Sequence, residues 1–202
     1  MNNEQRRRLS VMYEEYRNHD KRQVDRRLRW RNLEPESAEL LAVILRSMRA
    51  RRILEIGTSN GYSTLWLADA MQATGGHVTS LEIEAERTAL AEQSLHEFGL
   101  RDCVTLLTCD AAEYLPTTPE SFDFILLDAE RKYYRGYWPD LKELLLRRPH
   151  CLLVVDNVLS HADEVADFIA AIRDDEAGFA MTTVAVGAGL LFVTSNRCGP
   201  SL

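Results

Sequence analysis

No stretch of this 202-residue chain is apolar for long enough to cross a bilayer. Arg6, Arg7 and Arg8 are not followed by an apolar segment, so no secretory leader is expected. Cysteine is scarce. Cys103, Cys109, Cys151 and Cys198 form no C-x-x-C pair, and isolated cysteines in apolar strands read as reduced core residues of a cytosolic protein. Two phosphate-binding patterns are missing as well. The first strand-like run is not followed by G-x-G-x-x-G, and no Lys follows Gly61 as a G-x-x-x-x-G-K-[ST] loop would require. Internal repeats and low-complexity segments are absent.

What is present suits one soluble domain with a real core: 46% hydrophobic and 27% charged residues. The net charge of −7 is unevenly spread. Residues 1–31 hold ten Lys/Arg and five Asp/Glu, a balance of +5; the rest holds 14 basic and 26 acidic residues, a balance of −12. A basic arm on an acidic body could contact nucleic acid. Glu14, Glu15, Asp20 and Asp25 interrupt the basic run, which favours a solvated helix, or one docked on the acidic body of its own or a second subunit.

In chain order, residues 4–28 read as a polar helix and Arg29 to Glu34 as a connector. Pro35 opens a helix carrying Leu40, Leu41, Ile44, Leu45 and Met48 on one face. Ile53, Leu54 and Ile56 make a buried strand, Gly57 to Gly61 a turn, and Leu65 to Ala68 part of a helix that Ser63 or Thr64 could cap. Strands follow at His77–Leu81, Val104–Leu107, Phe122–Leu127 and Leu152–Val155, with helices over Glu84–Phe98 and 137–147. Ser160 with Asp163 resembles a capping box for a helix bearing Val165, Ile169 and Ile172. Two last strands, near Met181–Val186 and Leu190–Thr194, flank Gly187–Gly189. Alternating strands and helices predict an α/β fold with a mostly parallel sheet, which places ligands at the carboxyl ends of the strands.

Each strand ends in residues suited to such a site: Gly57, Glu82, Asp110, Asp128, and Asp156 with Asn157. A strand, a glycine-bearing turn and a helix N-terminus make a socket for a ligand. Glu82 can accept both hydroxyls of a ribose, and Asp110 suits the exocyclic amine of adenine. Asp128, Asp156 and Asn157 are oxygen donors without His or Cys, a set that selects Mg²⁺, or Mn²⁺ or Ca²⁺, over zinc. Asp156-Asn157 could instead make a turn and cap the next helix. Tyr133, Tyr134, Tyr137 and Trp138 could wall an aromatic substrate or simply fill the core.

Taken together, ILEIGTSNGYST, VTSLEIE, Asp110-Ala111, LLDAERKYY and VVDNV resemble the class I S-adenosylmethionine-dependent O-methyltransferases of the catechol and caffeoyl-CoA type. The resemblance implies a Rossmann-like domain over 31–202 with seven strands, preceded by a helical extension over 1–30. It implies S-adenosylmethionine contacts from Glu55, Gly57, Ser59, Gly61 and Ser63 in the first motif, Glu82 and Ile83 in the second, Asp110 and Ala111 on the adenine side, and Asp128. Asn32 and Leu33 match the segment that closes over the cofactor. Asp128, Asp156 and Asn157 match the metal ligands. A cytoplasmic homodimer acting on a small hydroxyl-bearing molecule is implied too, with no membrane or nucleic-acid partner.

Two departures stand out. The lysine that such enzymes carry three residues after the first metal acid falls on Arg131. Arginine stays protonated, so it can steady an oxyanion but not take a proton. Lys132 is next in line if its side chain reaches the site, so Arg131, Lys132 and Asp128 form the candidate catalytic set. Phe179 to Asn196 also contains no acid to hold a catechol's second hydroxyl. A metal-independent methyltransferase acting on a carboxylate, a nitrogen or RNA, and a non-catalytic cofactor-binding module, remain alternative readings.

Overall fold

In a computed structural model the described residues are 1–176 and 178–196, leaving aside the side chain of Arg27. Cys198 lies outside the described residues.

Seven strands form one sheet: β1 (Arg52–Ile56), β2 (His77–Glu82), β3 (Val104–Thr108), β4 (Phe124–Leu127), β5 (Leu152–Val155), β6 (Phe179–Val184) and β7 (Leu190–Ser195). Their order is β3-β2-β1-β4-β5-β7-β6. The first five are parallel, and β7 runs antiparallel to both β5 and β6. The helices are α1 (Asn3–Arg22), α2 (Pro35–Met48), α3 (Tyr62–Thr74), α4 (Ala85–Phe98), α5 (Ala111–Tyr114), α6 (Tyr134–Arg147) and α7 (Ala162–Arg173).

The central strands are short unbroken apolar runs because both faces of the sheet are covered. Side chains alternate along each strand. Ile53, Phe124, Leu126 and Val154 pack with Leu41, Leu45 and Leu65 of α2 and α3. Leu54, Ile125, Leu127 and Leu153 pack with Tyr134, Leu141 and Phe168 of α6 and α7. β6, at the edge, is largely exposed and ends in Thr182, Thr183 and Val184. β1 hands the chain outward to β2 and β3 on one side, while β4 and β5 build the other side. The gap above the β1–β4 pair is therefore a topological switch point, where such sheets bind ligands.

The basic helix α1 docks on its own chain. Asn2 and Gln5 close a capping box at its start. Leu9 is buried, Gln5 Nε2 donates to the Phe98 carbonyl at 3.1 Å, and Arg8 lies over the Phe98 ring and pairs with Glu97. The amino terminus pairs with Asp69.

Local expectations fail at both helices flanking the site. α3 is capped by Gly61, at φ 88°, with no side-chain cap; the Ser63 and Thr64 hydroxyls are engaged by Glu55 instead. α7 begins at Ala162 with His161 as its uncapped N-terminal neighbour. Ser160 bonds the His161 ring at 2.8 Å, so the Ser160–Asp163 box does not form. α6 starts at Tyr134, three residues earlier than expected, and accommodates Pro139 inside it. β6 runs Phe179–Val184 rather than near Met181–Val186, and the one-turn α5 had no sequence signal. Among the described residues no helix is long and apolar enough to cross a membrane.

Candidate active site

A cavity of about 230 Å³ opens at the carboxyl ends of β1, β2, β3, β4 and β5. Gly57, Ser59, Ser63, Glu82, Ile83, Asp110, Ala111, Asp128, Arg131 and Asn157 line it, and Asn32 and Leu33 close it from the segment before α2.

Glu55 does not reach the cavity. It is fully buried beneath the first turn, where Ser63 Oγ donates to Oε1 at 2.6 Å and Thr64 and Ser80 donate to Oε2 at 2.6 and 2.5 Å. Burial pushes its carboxyl up to about 7, against the pull of those three hydroxyls. Its place is that of a strut tying β1, β2 and α3 together under the loop. Gly61 also sits off the cavity: a Cβ there would meet Ala91 at 2.9 Å, so this glycine lets α3 approach α4. Gly57 is at the cavity, but what forbids a side chain is the neighbouring strand. A Cβ at Gly57, whose φ is 105°, would lie 2.1 Å from the Asp128 carbonyl oxygen.

Glu82 closes β2 with its carboxylate held by three amides: Ser59 at 2.7 Å, Ile83 at 2.9 Å and Glu84 at 3.0 Å. A carboxylate offers about four acceptor positions, so holding two ribose hydroxyls would require one of these amides to give way. Asp110 lines the cavity while its Oδ1 caps α5 through the Ala112 amide at 2.8 Å.

A strap over residues 26–33 spans the cavity from this end to the opposite one. The Asp20 carboxylate accepts from the Trp30 and Arg31 amides at 2.7 and 2.8 Å, His19 stacks on Trp30 at 5.1 Å, and Ser59 Oγ donates to the Trp30 carbonyl at 2.9 Å. Arg26, Trp30 and Arg31 thereby become cavity walls. Sequence reading missed them, because nothing local separates a strap arginine from the solvated charges around it.

At the other end, Asp128, Asp156 and Asn157 converge. Asn157 Nδ2 lies 3.2 Å from Asp128 Oδ1 and 2.7 Å from Asp156 Oδ2. Asp156 is 2% exposed, and its Oδ1 is buried with no partner. Burial, then the Asp156, Glu55 and Glu34 charges, push the Asp128 carboxyl well above its ordinary value, opposed by Arg31. Asp156 is raised as well, by burial and then Glu34. Among the described residues no three His, Cys, Asp or Glu side chains form a metal cage. Two acids and one amide do meet here, and a half-turn of the Asn157 amide would bring a third oxygen to the same point. The donor set and the orphaned Asp156 oxygen fit a hard divalent cation.

Arg131 is 6% exposed, lines the cavity and gives its Nε to Glu164 Oε2 at 2.8 Å. Lys132 does not reach the site: it is exposed, with its ammonium over the Tyr133 ring at 4.7 Å. The four aromatics divide. Tyr133 and Tyr137 wall the cavity, while Tyr134, bonded through its hydroxyl to Ala129, and Trp138, bonded to Asp175, belong to the core. His161 completes the rim, and burial, then Arg131, lowers its ring below the usual histidine range.

Residues 7–178 match the model of the O-methyltransferase family. The chain belongs to that family. Among its relatives, the catechol O-methyltransferase of Niastella koreensis is 34% identical over 132 residues, which is 63% of this chain and 58% of that one. The catechol O-methyltransferase of Mycobacterium tuberculosis is 33% identical over 147 residues, 68% of this chain and 64% of that one. The matched part thus spans about three fifths of those curated relatives. Solved structures agree on the fold. The O-methyltransferase TomG from Streptomyces achromogenes, in complex with S-adenosylmethionine, superposes with a TM-score of 0.71 at 25% identity over 82% of each chain. The O-methyltransferase from Bacillus cereus, in complex with S-adenosylhomocysteine, gives 0.76 at 23% identity over 93% of this chain and 90% of that one.

Proposed function

We propose that this O-methyltransferase carries the methyl group of S-adenosylmethionine to a hydroxyl oxygen of a small molecule, assisted by Mg²⁺ or by Mn²⁺ or Ca²⁺. The observation that carries the reading is one cavity with a ribose-type acid, Glu82, at one end and Asp128 and Asn157 at the other, with Asp156 buried behind them. In the reaction one S–C bond breaks and one O–C bond forms, the sulfonium becomes a thioether, and the hydroxyl proton leaves to solvent. A divalent cation held by Asp128, Asp156 and Asn157 would supply Lewis acidity toward the acceptor hydroxyl.

The chain's own residues bind and orient. Glu82 takes the ribose, Asp110 the base, and Gly57 keeps the floor of the site free of side chains. The strap excludes water, and Tyr133 and Tyr137 give an aromatic wall for the acceptor. Positioning of this kind is the main source of rate in a single displacement. Arg131 contributes a fixed positive charge beside the acceptor. With Lys132 outside the cavity, the pH profile follows the acceptor's own ionisation. Family resemblance extends the proposal to a cytoplasmic homodimer.

The deciding test is a methyl-transfer assay over phenols, catechols and acids, with Mg²⁺ and with excess chelator, run beside calorimetric titration of S-adenosylmethionine. Chelation should abolish most turnover and leave cofactor affinity nearly intact. Full turnover in chelator would reject the metal, and failure to bind S-adenosylmethionine would reject the reading as a whole.

A further inference from the structure

Arginines cluster at one end of the cavity. Glu82, Glu84 and Asp110 stand with Arg87 at the cofactor end, whereas Arg26, Arg31 and Arg131 gather around Asp128, Glu130 and the His161 ring at the acceptor end. Two of the acids near these bases are already engaged. Glu130 is paired with Arg31 at 2.5 Å and Glu164 with Arg131 at 2.8 Å. Two guanidinium groups keep donors without a hydrogen bond among the described residues. Arg31 Nε is buried with no acceptor, and the exposed Arg26 guanidinium has no ion pair or hydrogen bond among the described residues. A buried guanidinium nitrogen without an acceptor is costly unless a ligand supplies one. The Tyr133 and Tyr137 rings, 6.2 Å apart, stand on the same wall.

We propose that the acceptor is an anionic hydroxyaryl acid, its carboxylate held by Arg26 and the Arg31 Nε–H while its ring lies against Tyr133 and Tyr137. This rests on the methyl-transfer reading above. The carboxylate is a handle and not the methyl acceptor, so the bond made is still an ether at the hydroxyl. Arginine suits the role because its planar fork matches a carboxylate and never loses its charge. The buried pair Asp128–Asp156 would repel such an acid unless a cation neutralises it, so substrate and metal are expected to bind in support of each other.

The test compares 3,4-dihydroxybenzoate with its carboxamide, two acceptors of the same ring and hydroxyls that differ in charge. The full-length protein should favour the acid in kcat/KM by about tenfold, the worth of one charged hydrogen bond. In Arg26→Gln and Arg31→Gln the acid-to-amide ratio should collapse toward one, mainly through KM, and high salt should shrink it in the unaltered protein. Benzoate, which has no hydroxyl to methylate, gives a readout independent of turnover: ligand-observed NMR should show it bound by the unaltered protein and weakened by Arg26→Gln. Equal kcat/KM for acid and amide, no benzoate binding, or a base-labile methyl ester as product would each overturn the proposal. If neither acceptor is methylated, the methyl-transfer reading fails, and the benzoate measurement still decides whether the carboxylate site exists.

Discussion

Two buried acids bracket the cavity, Glu55 beneath its cofactor end and Asp156 beneath its acceptor end, and they are in opposite states. Every oxygen of Glu55 is matched by a hydroxyl. Among the described residues Asp156 has one oxygen without a partner, and its other oxygen accepts from the Asn157 side-chain amide. The first acid finishes its own bonding within the fold. The second is held ready with bonding capacity left over. The cofactor end thus has its buried acid satisfied, and the acceptor end keeps a deficit that a bound cation would fill.

The largest expected effect tests the junction that the two ends share. Gly57→Val drives a side chain into the Asp128 carbonyl at a backbone angle valine rarely adopts. It should cost about 4 kcal/mol or more of folding stability, read by urea unfolding. A stable, folded variant that merely fails to bind cofactor would show that the glycine serves the ligand and not the sheet.

The contrast itself is tested next. Glu55→Ala strands three buried hydroxyls and should remove about 3 kcal/mol of stability. In chelator, Asp156→Ala should change stability by less than about 1 kcal/mol, or raise it, because it removes a buried acid that nothing balances. With Mg²⁺ the same variant should lose turnover about a hundredfold. Equal stability losses in the two variants would erase the distinction.

A pH series sharpens it. Glu55 is raised from its ordinary value of 4.5 to about 7, so the native state holds this proton more tightly than the unfolded chain. Its contribution is complete below pH 4.5 and is lost as pH rises through about 7, which amounts to about 3 kcal/mol. Asp128 and Asp156 slope the same way, but Mg²⁺ should flatten their share alone. Unfolding curves at the two ends of this window, with and without Mg²⁺, separate the two contributions. Stability that climbs with pH would contradict both assignments. The smallest effect is expected at Lys132: Lys132→Ala should alter turnover less than about twofold, since its ammonium lies over Tyr133 outside the cavity. A large loss in that assay would return it to the catalytic set.

The sheet and its rim were legible because they rest on local patterns. Short apolar runs and the polar residue ending each one mark β1, β2, β3, β4 and β5 directly. What escaped depends on partners distant in sequence. Ser63 and Thr64 look like caps until Glu55, eight and nine residues earlier, takes their hydroxyls. Arg131 looks free until Glu164, 33 residues on, claims its Nε. Lys132 looked close to the chemistry by spacing alone, yet the turn before α6 points it outward. The strap was invisible because Asp20, which anchors it, reads as one more acid on a charged helix.

That anchor carries a consequence for timing. Asp20 on α1, together with Ser59 and Glu130, fastens the peptide that spans both ends of the cavity. Anything passing Trp30 and Arg31 would strain that fastening, so entry and exit would share one latch. The first helix, remote from every strand of the sheet in sequence, would then act as the clock of the turnover cycle, setting how long each molecule stays rather than which molecule is chosen.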